Sequence, residues 1–349
     1  MAHITLLFSV IVSALKRKRT LLIAFIILTL LAILRYDFGN DYASYKIAFD
    51  KIHMGWSSPF EDQILFNFLN SITPNFYLFI AITSVLTIYP VYKLLSSCVE
   101  NKYAWIGVLV YCINPYLFLM SLSAIRQSVA TGMFIVACYF GYKRKPIPYL
   151  IIVLLASLVH ASAIILLPFY FLANNRRMGK VQVLIIITVF LILLVSGDIF
   201  NDLMEKFIEM FDNAQYEHYV EEGDSNSLRA TLLSLIFFVY VAINIPRLKG
   251  AALASSKLYL IGCICSVLAF RLSMLTRVQM YFDIFSIVSI PLIIKSNLSN
   301  EHKPLWIIIN RYVFPILIFT VYVLRYYSFF TNPLWEAFTK YHTILEALL

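Results

Sequence analysis

The chain has 349 residues, of which 61% are hydrophobic and only 13% charged, with a net charge of +9. An average soluble domain carries roughly 25% charged residues, so this chain has too little polar surface for a soluble globular protein. Its basic residues sit in short clusters between apolar runs rather than in one stripe with interleaved aromatics, which excludes nucleic acid as the partner and points to membrane topology.

At about 20 residues per span, the length fits one all-α polytopic bundle over residues 1–349, with about 11–12 transmembrane helices and no separate soluble domain. Apolar runs at about 3–15 and 20–34 flank Lys16-Arg17-Lys18-Arg19, a cluster placed in the cytoplasm by the positive-inside rule. The cluster follows the first apolar run, and no small-residue cleavage site is evident, so a signal peptide is not expected. A polar stretch at 36–73, punctuated by Gly55-Trp56 and Ser57-Ser58-Pro59, is an outer loop with short helices. Spans follow at about 75–95, 103–120 and 126–142, the last ending at Lys143-Arg144-Lys145.

The apolar run 147–173 lies between that cluster and Arg176-Arg177 with Lys180. With both clusters on one side, the run goes out and comes back, turning near His160; a single long span is the alternative, and it would place Arg176-Arg177 outside, against the positive-inside rule. A span at 181–196 leads to a second outer loop, 197–227, where nine acidic residues and one lysine fall within 198–224. Phe200, Leu203, Phe207, Met210 and Phe211 recur there at helical spacing, as in an amphipathic surface helix or a solvated loop face. Further spans are expected at 228–245, 255–272, 278–294 and 307–324.

In so apolar a chain, ionisable residues at span ends carry the information. Arg35 closes the second span, and Asp37 and Asp41 lie just beyond it, with Gly39-Asn40 permitting a turn back onto the guanidinium. It reads either as a snorkelling arginine with an acidic partner or as part of a site. Arg126, with Gln127 and Ser128, opens a helix, where the free N–H groups and the macrodipole favour an anion. His160 stands among Ala156, Ser157, Ala161, Ser162 and Ala163, at the expected hairpin apex. Arg271 and Arg277 bracket an outer turn before Tyr281, with no carboxylate nearby until Asp283. Their natural partner is phosphate, which the guanidinium fork matches, or else the acidic loop. No Walker A sequence, Gly-rich loop, nucleophile elbow or HExxH accompanies these residues. The chemistry implied is recognition of a large anion at a membrane surface, with no cofactor and no metal.

These same residues carry a resemblance. Arg35-Tyr36-Asp37-Phe38-Gly39-Asn40-Asp41-Tyr42 resembles the R-Y-x-x-G-x-D-Y signature of bacterial O-antigen and exopolysaccharide polymerases of the Wzy/EpsG type. Ile125-Arg126-Gln127, the Ala156–Ser162 segment, Arg271 through Pro291, and Asn332-Pro333-Leu334-Trp335 resemble later motifs of that family, in order. The chain departs from the family at Asn40, where Thr is common, and at Lys340-Tyr341, where Pro-Tyr is common.

The resemblance implies an inner-membrane glycosyltransferase with its site facing the periplasm. It would join undecaprenyl-pyrophosphate-linked repeat units, assisted by a chain-length-determining co-polymerase. Within that reading, His160, Arg126, Arg271 and Arg277 are the catalytic candidates, and Arg35, Asp41, Tyr42, Gln127 and Tyr281 the substrate-binding ones. An O-antigen ligase would use nearly the same chemistry. A flippase or other transporter would also bind the pyrophosphate, but should carry charges through the mid-bundle or show repeated halves.

Overall fold

The computed structural model describes the chain apart from residues 16–18, 59, 61, 175, 177, 196–227, 270–274, 299–304 and 349. Arg271 and the acidic segment at 198–224 therefore lie outside the described residues. The apolar runs become helices α1 (Ala2–Ala14), α2 (Thr20–Ile33), α3 (Tyr42–His53), α4 (Ile64–Ile72), α5 (Phe76–Cys98), α6 (Asn101–Ile113), α7 (Phe118–Ser123), α8 (Ile125–Tyr142), α9 (Pro146–Ser157) and α10 (Tyr170–Ala173). They continue as α11 (Lys180–Val195), α12 (Leu228–Asn244), α13 (Gly250–Leu268), α14 (Leu275–Asp283) and α15 (Ser286–Leu298). Last come α16 (Leu305–Ile308), running through a π turn into α17 (Phe314–Thr331), and a short α18 (Ile344–Leu348).

The chain is a multi-pass, all-helical membrane protein. Among the described residues, α5, α13 and the continuous Leu305–Thr331 stretch are long and apolar enough to cross a bilayer. α14 and α15 together form a fourth candidate span, bent by 54°. Other apolar helices, such as α1, α2 and α9, are shorter. Of the runs expected as single spans, 103–120 breaks between α6 and α7, and 278–294 bends between α14 and α15. Where the apolar surroundings offer no water, hydroxyls close onto their own helix, as Thr83 to Phe79 O (2.9 Å) and Ser84 to Ile80 O (2.7 Å) do in α5. The Asn75 side chain caps the same helix by accepting from the Leu78 N–H at 2.8 Å.

Charge sorts the bundle into two ends. At one end Lys295 pairs with Glu100, Lys257 Nζ donates to Asn174 O at 2.6 Å, and Arg311 donates to Asn297 O at 2.8 Å. Lys143, Arg144 and Lys145 lie in the α8–α9 turn, and a Cβ at Gly250 would stand 3.7 Å from the Tyr142 hydroxyl, so Arg247 and Lys249 share this end. The opposite end carries the 35–42 turn, α7 and the start of α8, His160 and α14.

The 147–173 run does turn back. After α9 the helix breaks at Leu158–His160, and a 3-10 helix, Ala161–Phe169, returns. The Tyr149 hydroxyl donates to Leu166 O (2.6 Å), and its ring meets Tyr170 at 5.4 Å, as two antiparallel arms require.

Glycines let helices approach to backbone distance. A Cβ at Gly132 on α8 would lie 2.5 Å from Leu86 O on α5, and one at Gly107 on α6 would lie 2.5 Å from Ile287 O on α15. Small residues at crossings are how membrane helices gain packing. Gly132→Ala is expected to cost about 1–3 kcal/mol by overpacking, lowering the apparent melting temperature of the detergent-purified protein. Gly179→Ala, with open space around it, should leave that temperature unchanged.

One non-helical element was not foreseen. Arg35–Tyr36 (β1) pairs antiparallel with His342–Thr343 (β2), in register Arg35 to Thr343 and Tyr36 to His342. The first and last motifs therefore meet. Asn40 Nδ2 donates to Leu334 O (2.8 Å), the Gly39 N–H to Ala337 O (3.3 Å), and the Tyr341 hydroxyl to Leu31 O (2.7 Å).

Candidate functional site

Arg126 stands in the first turn of α8, where α7 has just ended at Ser123. Its guanidinium lies 3.7 Å from the centre of the Phe60 ring, and Nε donates to the Tyr45 hydroxyl at 3.4 Å. An aromatic face beneath and a phenol at one edge fix the guanidinium plane. Ion pairs among the described residues join Lys46 with Asp50, Lys295 with Glu100 and His342 with Glu346, so no described carboxylate neutralises Arg126.

The neighbouring Gln127 is buried and donates through Nε2 to the backbone carbonyl of Arg277, tying α8 to α14. From α14, Tyr281 reaches across to the Ser162 hydroxyl at 3.0 Å, and its ring packs against Phe134 of α8 at 6.5 Å. These two bonds draw the His160 turn, the start of α8 and Arg277 to one place.

His160 lies between the two helical arms, outside the spanning segments. Burial first, and then the positive charges of Arg126 and Arg277, hold its pKa below the ordinary imidazole range. At neutral pH the ring is thus uncharged and can accept a hydrogen bond, though it is a weaker base than a free imidazole. Both ring nitrogens are buried with no hydrogen-bond partner among the described residues. A buried polar atom left unmade costs about 1–3 kcal/mol, a cost that proteins tolerate mainly where the atom serves a purpose.

The structure corrects one expectation about Arg35. The guanidinium does not bind Asp37 or Asp41. It is 1% exposed and donates to Ala32 O, to Ser84 Oγ (3.0 Å) and to Leu122 O (3.2 Å). It joins the ends of α2 and α7 to the middle of α5. Asp41 instead accepts from Ser123 Oγ at 3.2 Å, while its own N–H donates to the same oxygen at 3.1 Å. Tyr42 is buried edge-on against Phe76 (5.3 Å). The 35–42 motif thus props the loop from which α8 and Arg126 emerge.

Tyr45 and Phe60, which hold Arg126, were missed in the sequence. Tyr45 falls one turn after Tyr42 on α3 and could have been found as its same-face partner. Phe60 carries no local signal, since only the folded loop brings it over α8.

The arrangement thus offers an unneutralised guanidinium, a second arginine close by, and a neutral imidazole between them, at the end of the bundle away from the basic turns. The EpsG family model matches residues 18–343. No curated protein and no solved structure matches the chain. With nearly its whole length matched, the chain belongs to the EpsG family, membrane proteins associated with exopolysaccharide biosynthesis.

Proposed function

We propose that this protein is a metal-independent polysaccharide polymerase of the bacterial inner membrane, joining undecaprenyl-pyrophosphate-linked repeat units at its periplasmic end. The observation that carries this reading is the meeting of Arg126, His160 and Arg277 around one turn. Orientation follows from the Lys143–Lys145, Arg247 and Lys249 turns, which the positive-inside rule assigns to the cytoplasm.

In the reaction, an acceptor hydroxyl attacks the anomeric carbon of the donor chain. The carbon–oxygen bond to pyrophosphate breaks, and the electron pair leaves on undecaprenyl pyrophosphate. Arg126 and Arg277 stabilise the charge that grows on the leaving group, and Arg271 is assigned the same role on sequence alone. His160 accepts or orients the hydroxyl proton. Gln127 and Tyr281 keep the arginine-bearing elements in register. Asp41, Tyr42 and Arg35 shape the loop above them.

Purified protein incubated with a defined lipid-linked repeat unit, without ATP or added metal, is expected to give a ladder of products on a gel. Pyrophosphate is already a good leaving group, so His160→Ala should slow the ladder by about 10²-fold or less rather than abolish it. A wild-type protein that forms no ladder, but transfers glycan to a lipid A core acceptor, would make it a ligase instead.

A further inference from the structure

A recess of about 680 Å³ opens on a different face of α14 from the one that carries Arg277 and Tyr281. Thr276, Gln279, Met280 and Asp283 line it, at the i, i+3, i+4, i+7 spacing of one helical stripe. α14 therefore presents one face to this recess and another to the Arg126–His160 turn. The volume is that of a ligand site, for which roughly 300–1,000 Å³ is usual. Two of the sequence motifs, Arg271–Pro291 and Asn332–Trp335, supply part of its wall.

Its chemistry is specific. Tyr116 and Trp335 contribute aromatic surface, and Trp335 is held by stacking on Phe329 at 4.9 Å. Asp283 is 7% exposed, and its Oδ2 accepts from Gln279 Nε2 at 2.6 Å. Its Oδ1 occupies room left by Gly262, where a Cβ would stand only 2.6 Å away. Arg325 lines the same recess without forming an ion pair with Asp283, and donates to Ser234 Oγ at 2.8 Å.

A buried carboxylate is out of place beside an acyl chain, and beside Arg325 it leaves the recess mixed in charge rather than cationic, unlike a phosphate site. Aromatic faces beside groups that both donate and accept suit a neutral ring whose faces are C–H and whose rim is hydroxyl. We propose that this recess is a saccharide site, holding sugar of a lipid-linked repeat unit while Arg126 and Arg277 hold pyrophosphate across α14. Asp283 and Gln279 are its hydroxyl-binding pair, and Trp335 its stacking surface. The proposal rests on the polymerase reading above.

The test is native mass spectrometry of the full-length protein with two probes, undecaprenyl pyrophosphate and its glycosylated repeat-unit form. Wild type should prefer the glycosylated lipid. Asp283→Asn and Met280→Trp, which fills the recess, should each weaken the glycosylated lipid by about tenfold and leave undecaprenyl pyrophosphate unchanged. Arg126→Ala should weaken both. Monodisperse elution of each variant checks folding, and Gln279→Ala replaces Asp283→Asn if that variant does not fold. If wild type prefers the sugar and the recess variants keep that preference, the saccharide site is overturned and the polymerase reading stands. If wild type binds neither lipid, both fall.

Discussion

Replacing Arg126 with alanine is expected to abolish the polymer ladder while the protein accumulates and purifies normally. The guanidinium rests on Phe60 and Tyr45 and pairs with no described carboxylate, so its removal leaves no buried acid uncompensated. On the polymerase reading, what is lost is charge aimed at the leaving group. Removing one preorganised donor of this kind typically costs on the order of 10²–10³ in turnover. Arg126→Lys keeps the charge but loses the planar stack on Phe60 and the bidentate fork, so it should restore only part of the rate. Single-turnover kinetics with a defined lipid-linked repeat unit would measure all three proteins. Wild-type rates in Arg126→Ala would remove this arginine from the site.

Arg35→Ala should fail in the opposite manner, with loss of folded protein rather than of rate per molecule. The side chain is fully buried and hydrogen-bonds three separate elements through Ala32 O, Ser84 Oγ and Leu122 O. Its deletion strands those acceptors and opens a void between α2, α5 and α7. Each buried acceptor left unsatisfied costs about 1–3 kcal/mol, together a large part of the stability of a typical domain. Membrane yield and apparent melting temperature should fall sharply. Normal yield with lost turnover would instead place Arg35 at the substrate.

The contrast between these two arginines shows what the sequence can and cannot reveal. Helices, their apolar character and the charge-sorted ends were legible because periodicity and loop charge are local signals. The reversal at His160 was legible because two basic clusters flank the run, and the positive-inside rule puts both on one side. Arg126, His160 and Arg277 stand out in the sequence because each is costly in so apolar a chain; their shared turn is visible only in the fold.

The division of labour was not legible. Arg35 and Arg126 both sit at span ends beside polar neighbours. Only the packing shows that one is wired to backbone carbonyls and the other rests on an aromatic ring. The recess beside Asp283 escaped because its walls come from α7 and the loop before it, α12, α13, α14 and α17 with the segment beyond it, and no window of sequence holds them together. The short β1–β2 pair escaped for a similar reason, its partners lying some 300 residues apart.

That pair has a consequence for biogenesis. A ribosome adds about 5–20 residues per second, so Arg35–Tyr36 waits on the order of tens of seconds for His342–Thr343 to be made. Until then Gly39 and Asn40 lack their partners at Ala337 and Leu334, and the loop that props α8 is unfinished. The nascent chain thus inserts most of its helices before its outer face can close. On the polymerase reading, a half-synthesised protein already in the membrane stays inactive until its last segment docks.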